Sequence, residues 1–549
     1  MPTRMWEIIK TVGKYPLYPL LVNVYFVLYI YQLNLFQVRL ADAVDYLLLS
    51  SASMAILIAA AHALPRPFGA VVSAVCFFAF VYLILPIQIM FEPGGEPRLL
   101  SHLIWIGFFI YVTVLVFARK GRFASRFHVA YNILTLAAII WACGSILVED
   151  WRAVPRDTAL TLNGIAATTP IAATERTEPT AQIRPNIVHI VLDGYSRADV
   201  MLKAYGYDNS KFLKALRQRG FEIASQSTAP YNQTHLSLGA TFQGGYFNAG
   251  QLAGLNDGDA QFRRRLLDNV TQGPVHNILA QRGYRFFATS IGMTGFYQYP
   301  DDTILLSDTK QRNRWTFEQT LMSDRFANAI PGLGRWVAWN NFQQMNRDLR
   351  YGFDFSNFRD QIKAAAASGA PIHLYQHALA PHPPFAITAK GKDTKAWLPY
   401  TRFIATGNAV IHGDEARRQH YLDGHLEKVK YINRAILAYI DQVVAEIPEP
   451  RVIILQSDHG GSVFYHHNKL ERGCAWERYS NLFAIQTRPE IPVIKNGVYN
   501  TVNIYRDLFS AYFKLPTPAL PAQSYFADWD QMRQFQAVDL SAREACGPN

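Results

Sequence analysis

Cysteine is scarce in this sequence. Four stand in 549 residues and no two are spaced Cys-x-x-Cys, which excludes a zinc ribbon or a dithiol redox motif. Charge is also low: 17% of residues are charged against 50% hydrophobic, an apolar balance for a protein living wholly in water. No block of Lys and Arg with interleaved aromatics supplies a nucleic-acid footprint, so no nucleic-acid partner is expected. No small-residue cleavage site follows the first apolar stretch, which disfavours a cleaved signal peptide. A chain of this length is also too long for one compact core, so two or more domains are expected.

Long apolar runs are what the first 150 residues hold in quantity. Leu17–Phe36, Tyr46–Leu64, Phe68–Met90, Leu99–Phe117 and Val129–Val148 are each long enough to cross a bilayer and carry almost no charge. They predict a bundle of five transmembrane helices over residues 1–150. Loop charge sets the orientation. Arg4, Lys10 and Lys14 precede the first run, Arg66 follows the second, and Arg119, Lys120, Arg122 and Arg126 follow the fourth. The other loops hold only Arg39 and Arg98 among acidic residues. The N-terminus is therefore expected in the cytoplasm, and everything after Val148 on the far side of the membrane, periplasmic in a two-membrane cell. Residues 1–150 contain 10 Lys+Arg and 7 Asp+Glu, or +3 of the total +11, leaving +8 for the exported part. That balance suits work beside anionic headgroups or phosphorylated glycans, and equally suits plain solubility. Cys76 and Cys143 fall in predicted spans; Cys474 and Cys546 fall in the exported part, where a disulfide is permitted.

Residues 151–184, rich in Ala, Thr and Pro, predict a linker. A globular part follows over 185–549. Strands are predicted from Asn186, over Tyr284–Ser290, Ile372–His377 and Val452–Leu455, and helices over Asn209–Gly220, His276–Arg282 and Glu427–Ile447. Strands alternating with helices argue for an α/β domain whose mostly parallel central sheet is covered by helices on both faces.

Two strand-like runs end in chemistry. PNIVHIVLDGYSR stops on Asp193-Gly194, and RVIILQSDHGG stops on Asp458-His459-Gly460. Ligands in open α/β sheets gather at the carboxyl ends of strands, so Asp193, Asp458 and His459 suggest one metal site built from distant parts of the chain. Each turn alone could equally cap a helix. Between them lies APYNQTHLSLGATF, where Thr234 and Ser237 are both candidate nucleophiles. No Gly-x-Ser-x-Gly elbow surrounds either, so metal activation is expected rather than a base-activated serine. Thr234 could also be a helix N-cap. In HLYQHALAPHPPF, His377 and His382 stand in a loop stiffened by Pro381, Pro383 and Pro384, and either could serve a substrate or leaving-group oxygen. His466 and His467 follow closely enough to reach the same site, and Arg472 could clamp a phosphate. His189, in mid-strand, reads as core.

In this order, VLDGYSR, YNQTHLSL, HALAPHPPF and SDHGG resemble the sulfatase-like branch of the alkaline phosphatase superfamily. Behind five spans, the layout resembles that of lipoteichoic acid synthases and lipid A phosphoethanolamine transferases; the run Tyr499–Phe526 also resembles the tail of such domains. The resemblance implies that Asp193, Thr234, Asp458 and His459 hold one divalent metal. It implies that Thr234 is a nucleophile forming a phospho-threonine, that His382 contacts the phosphoryl or leaving group with support from His377, and that His466 or His467 is a further substrate contact. Two departures stand out. Those transferases usually carry Glu where this chain has Asp193. Formylglycine sulfatases need Cys or Ser followed by x-Pro-x-Arg, whereas Thr234 is followed by His235, Leu236, Ser237 and Leu238. A threonine cannot be oxidised to that aldehyde, which speaks against sulfate-ester hydrolysis.

The function expected is metal-dependent transfer of a phospho-headgroup, such as phosphoglycerol or phosphoethanolamine, from a membrane phospholipid donor to a glycan or lipid acceptor. The alternatives are a tethered phosphatase or phosphodiesterase with the same residues, and a non-catalytic scaffold. Mixed oxygen and nitrogen ligands favour Zn or Mn over Ca or Mg.

Overall fold

The structure, a computed structural model, describes residues 17–33, scattered positions between 43 and 56, 122–152, 183–247, 260–291, positions 297, 299, 300 and 303–306, 331–394, 407, 411, 413–529, 531–540 and 546. The chain divides into two compact units: Met1–Val154 with Asn313–Arg325, and Pro155–Arg312 with Phe326–Asn549.

In the first unit, helices Tyr18–Leu33 and Arg122–Arg152 fall on the first and fifth apolar runs. Ile133, Leu134, Leu136, Ile140, Trp141, Leu147 and Val148 of the latter are exposed. No helix among the described residues is long and apolar enough to cross a membrane. The run Tyr46–Leu64 is described at scattered positions only, and Phe68–Met90 and Leu99–Phe117 lie outside the described residues, as does the linker apart from its ends.

The second unit is built on a seven-stranded sheet. Its strands are β1 (Asn186–Leu192), β2 (Glu222–Ile223), β4 (Arg285–Ile291), β5 (Thr303–Leu305), β6 (Ile372–Ala378), β7 (Arg451–Ser457) and β8 (Phe483–Arg488). The order is β2-β8-β7-β1-β6-β4-β5; β7, β1, β6, β4 and β5 run parallel, and β8 and β2 add an antiparallel edge. Every residue of β6 and β7 is buried, as a sheet covered on both faces requires. Alternation along β1 shows the two layers. Val188, Ile190 and Leu192 join one core with the helices Ser210–Gln218 and Glu415–Glu446, while Ile187 and Val191 join another with Thr234–Gln243, Pro274–Ala280 and Ile504–Phe513. Two small sheets flank this body: β3 (Gln226–Thr228) with β9 (Val498–Asn500), and β10 (Ser524–Ala527) with β11 (Phe535–Val538). Cys474 and Cys546 form a disulfide.

The helix expected over Glu427–Ile447 spans Glu415–Glu446. Asp414 caps its start by accepting from the Arg417 N–H, and Tyr421, His425 and Lys428 extend its buried stripe toward the N-terminus. Gly424 lies within that extension for a packing reason: a Cβ there would sit 2.7 Å from Cβ of Phe385. The helix thus presses directly on the loop that carries His382.

Candidate metal centre

The carboxyl ends of β1 and β7 are neighbours because the two strands pair in parallel register, Leu192 opposite Ser457. Asp193 and Asp458, one residue further on, therefore emerge side by side. Gly194 turns the chain with φ +75°, a conformation open to glycine at little cost. Its N–H donates to Asp458 Oδ1 at 3.0 Å, and the His459 N–H donates to the same oxygen at 2.9 Å. Gly460 serves close packing instead, since a Cβ there would collide with carbonyls of the helix Ala475–Tyr479.

One ligand atom each from Asp193, Asp458 and His459 lies within 4.8 Å of the others, and all three residues are buried. The His459 Nδ1–H faces the Gly460 carbonyl at 2.9 Å, which leaves the lone pair on Nε2. That lone pair points at Asp458 Oδ2 (3.1 Å), Thr234 Oγ1 (3.2 Å) and Asp193 Oδ1 (3.9 Å). Asp193 Oδ1 and Asp458 Oδ2 are buried without any hydrogen-bond partner. Lone pairs converging in the dry interior repel one another unless a cation lies among them, so these residues fit a divalent metal. The electrostatics agree. Burial opposes charge on both carboxyls. The imidazoles of His382, His377 and His459 more than offset this at Asp193, which stays below the usual carboxylate range. At Asp458 burial and the Asp193 charge together push the carboxyl up. Burial, with the Arg478 charge, holds His459 well below the usual imidazole range, in the neutral form a metal ligand needs.

Thr234 is the first residue of the helix Thr234–Gln243, and Gln233 holds the N-cap position with no side-chain cap. The expectation of Thr234 as N-cap is thus corrected by one residue, and its hydroxyl is turned to His459 instead. Ser237, the rival nucleophile, is buried and donates to the Asp458 carbonyl at 2.6 Å. It fixes the backbone at Asp458 and is shut away from solvent.

The His-Pro loop lies over Asp193. The His382 N–H donates to the Asp193 carbonyl at 3.0 Å, and its ring Nδ1 meets the Pro383 carbonyl at 2.9 Å, leaving Nε2 for other partners. Lys428, from the long helix, is buried under this loop and donates to the carbonyls of Leu379 (2.9 Å), His382 (2.5 Å) and Pro384 (3.3 Å). His377 is fully buried behind Asp193, with Nε2 3.7 Å from Oδ2 and Nδ1 2.6 Å from the Tyr297 hydroxyl. It can steady the carboxylate from behind, where the sequence offered it also as a substrate contact. His467 stands edge-on to Tyr465 and Trp529, and burial with the Arg478 charge lowers its pKa well below the usual range. His466 shares its surroundings with Lys469 and Arg472. Arg472 is exposed on the turn Leu470–Arg472, so the guanidinium brought to the cluster is Arg478, not Arg472. The text ERGCAWERY offers both arginines in the same Glu-Arg context, and nothing in it separates them. Glu477 beside it is also buried and accepts from the N–H groups of Val463 and Phe464, shaping the loop after His459.

The sulfatase family model matches residues 185–505, more than half of the chain, and the chain belongs to this family, within the alkaline phosphatase superfamily of metal-dependent enzymes. No curated protein matches it. Among solved structures, the integral membrane lipooligosaccharide phosphoethanolamine transferase A of Neisseria meningitidis is 14% identical over 92% of this chain and 95% of its own, with a TM-score of 0.38. The C-terminal periplasmic domain of EcEptC from Escherichia coli is 12% identical over 66% and 96%, at 0.37. A phosphonate monoester hydrolase of Agrobacterium radiobacter is 13% identical over 66% and 82%, at 0.38. These are likenesses only; the assignment to the family rests on the matched model.

Proposed function

We propose that this chain is a membrane-tethered transferase that moves a phospho-headgroup from a membrane phospholipid to a surface glycan or lipid through a phosphorylated Thr234. The observation that carries the proposal is the Thr234 hydroxyl at 3.2 Å from His459 Nε2, on the edge of a buried cluster with two unpartnered carboxylate oxygens. Asp193, Thr234, Asp458 and His459 would hold one divalent ion, Zn or Mn by their mixed donor set. Such an ion lowers the pKa of the hydroxyl and offsets charge on the phosphoryl oxygens.

Thr234 Oγ1 attacks phosphorus; the bond to Thr234 forms as the bond to the lipid oxygen breaks, and the hydroxyl proton passes to the departing lipid oxygen, which leaves as the alcohol. The N-terminus of the Thr234 helix offers N–H groups to a phosphoryl oxygen. Burial lowers the pKa of His382, so its imidazole is neutral at rest. With Nδ1 engaged, Nε2 can take the proton of the acceptor hydroxyl as that oxygen displaces Thr234 from phosphorus. His467, near enough to His459 and His382 to feel their charges, is read as a further substrate contact.

The proposed organisation is a domain of five spans over 1–150, a linker over 151–184 and a catalytic domain over 185–549 outside the cytoplasm. The exposed apolar side chains of Arg122–Arg152 support it, because so much apolar surface suits lipid better than water. So does the Cys474–Cys546 disulfide, which persists in an oxidising compartment. A tether of this kind keeps the site among lipid donors at high effective concentration.

The test is intact-mass analysis of the full chain after incubation with zinc and total lipid extract. An added mass on Thr234 is expected, and its value names the transferred group. Thr234→Ala should carry no adduct and lose turnover by on the order of 10³-fold or more. An adduct elsewhere, or full turnover in the variant, rejects the assignment; an adduct discharged only to water would make the enzyme a hydrolase.

A further inference from the structure

Arg478 is a buried cation without an acidic partner. It is 4% exposed, and no carboxylate of a described residue forms an ion pair with it. Its donors are spent on neutral acceptors. Nε donates to the Asn232 carbonyl at 2.8 Å and Nη1 to Ser462 Oγ at 2.6 Å, with the Gly460 carbonyl at 3.4 Å. Nη2 donates to His459 Nε2 at 2.9 Å, and the Tyr465 ring lies 5.3 Å from the guanidinium carbon. Carboxyls stand nearby, Glu477 close enough to feel its charge and Asp458 beyond the His459 ring, but none accepts a hydrogen bond from it, and neutral acceptors offset only part of the cost of burying the guanidinium. Such a group at a reactive centre is poised for an anion.

The position of Nη2 indicates which anion. The nitrogen lone pair it occupies also faces Thr234, Asp458 and Asp193, and one lone pair cannot serve both an N–H and a metal ion. When His459 ligates a cation, Nη2 loses its acceptor. Nη2 lies 2.9 Å and Thr234 Oγ1 3.2 Å from that one nitrogen, so the released N–H stands within about 6 Å of the nucleophile, a span that a phosphoryl group on Thr234 can bridge. Arg478 also holds the Asn232 carbonyl, two residues before Thr234, which fixes the guanidinium relative to the start of the nucleophile's helix.

We propose that Arg478 is a substrate-contacting residue whose Nη2 N–H, exchanged from His459, binds a non-bridging oxygen of the tetrahedral phosphoryl group at Thr234. This rests on reading the cluster as a site of ester transfer. It makes Arg478 a charge-assisted donor to the oxyanion and makes metal loading the event that releases that donor.

Inorganic phosphate is the probe, titrated calorimetrically into the zinc-loaded full chain in detergent. Arg478→Gln should weaken phosphate binding by about 10- to 100-fold, the range for a lost hydrogen bond to a charged group. Arg478→Lys, a point charge without the planar fork, should fall between. Zinc itself should bind Arg478→Gln at least as tightly as wild type, because a competitor for the His459 lone pair is gone; a merely structural arginine would weaken zinc binding on removal. Phosphate affinity within twofold of wild type in Arg478→Gln overturns the proposal. If that variant does not fold, Arg478→Lys carries the test, and phosphate affinity within twofold of wild type in Arg478→Lys overturns the proposal. Neither readout needs turnover, so a chain that transfers nothing from any lipid would refute the proposed function and still report on Arg478.

Discussion

Thr234 and Ser237 stand one helical turn apart, and their hydroxyls have different fates. Thr234 sits at the helix start, half-buried, and faces the cluster; Ser237 is wholly buried and tied to the Asp458 carbonyl. The two are chemically alike, so position alone assigns their roles. Ser237→Ala would leave a buried carbonyl without its donor and should destabilise the domain by about 1–3 kcal/mol in denaturant melts. It should still form the Thr234 adduct, more slowly; complete loss of the adduct in folded Ser237→Ala would mean that Ser237 acts on substrate. The clustering of Asp193, Asp458 and His459 was legible because apolar strands stopping on Asp193-Gly194 and Asp458-His459-Gly460 advertise strand ends. Arg478 was not, since its role depends on a short helix folding back onto the turn that follows β7, a contact no local pattern encodes.

At the scale of elements, the long helix and the His-Pro loop form one working part. Gly424→Ala places a methyl group against Phe385 and should cost about 1–3 kcal/mol as the loop gives way. Turnover should fall with it while zinc stoichiometry holds at the wild-type value; a drop in bound zinc would show that the cluster, not the loop, was disturbed. Lys428 makes the same junction sensitive to pH. Burial lowers its pKa to about 7 from 10.5. Between those values the folded chain has shed a proton that the unfolded chain still binds. The residue's contribution to stability is therefore lowest below about 7 and grows as pH rises through the window, by at most about 1.4 kcal/mol per unit. Lys428→Met lacks this titration, so denaturant melts from pH 7 to 9 should show the stability difference moving in favour of wild type; parallel curves would remove Lys428 as the titrating group. Residues 427–446 of this helix were readable from the spacing of Val429, Ile432, Ile436 and Ile440. Its first turns were not, because polar residues dominate 415–426 and His425 reads as solvent-facing until the loop it packs against is in place. The parallel sheet was readable from alternating strand and helix patterns, whereas the antiparallel edge of β8 and β2 carries no signature that distinguishes its direction.

At the scale of the whole molecule, the disulfide joins residue 546 to the N-cap of the helix that carries Glu477 and Arg478, across a sequence separation of 72. A loop of that size constrains the unfolded chain by about 4 kcal/mol in the chain-entropy account. Cys546→Ser, or reduction of the wild type, should lower the melting temperature and speed amide exchange in Ala475–Tyr479; identical melting with and without reductant would show that the bond contributes nothing. The metal cluster spans still more of the chain, drawing on β1, the Thr234 helix and β7. With the proposed topology, Asp193 reaches the outer side of the membrane long before Asp458 and His459 have been synthesised. An unfolded chain holds no preformed ligand set. On the proposed reading the ion would be acquired only after translocation is complete, from the pool outside the cytoplasm, and scarcity of that metal in the surroundings would switch the enzyme off however well the cell's interior is supplied.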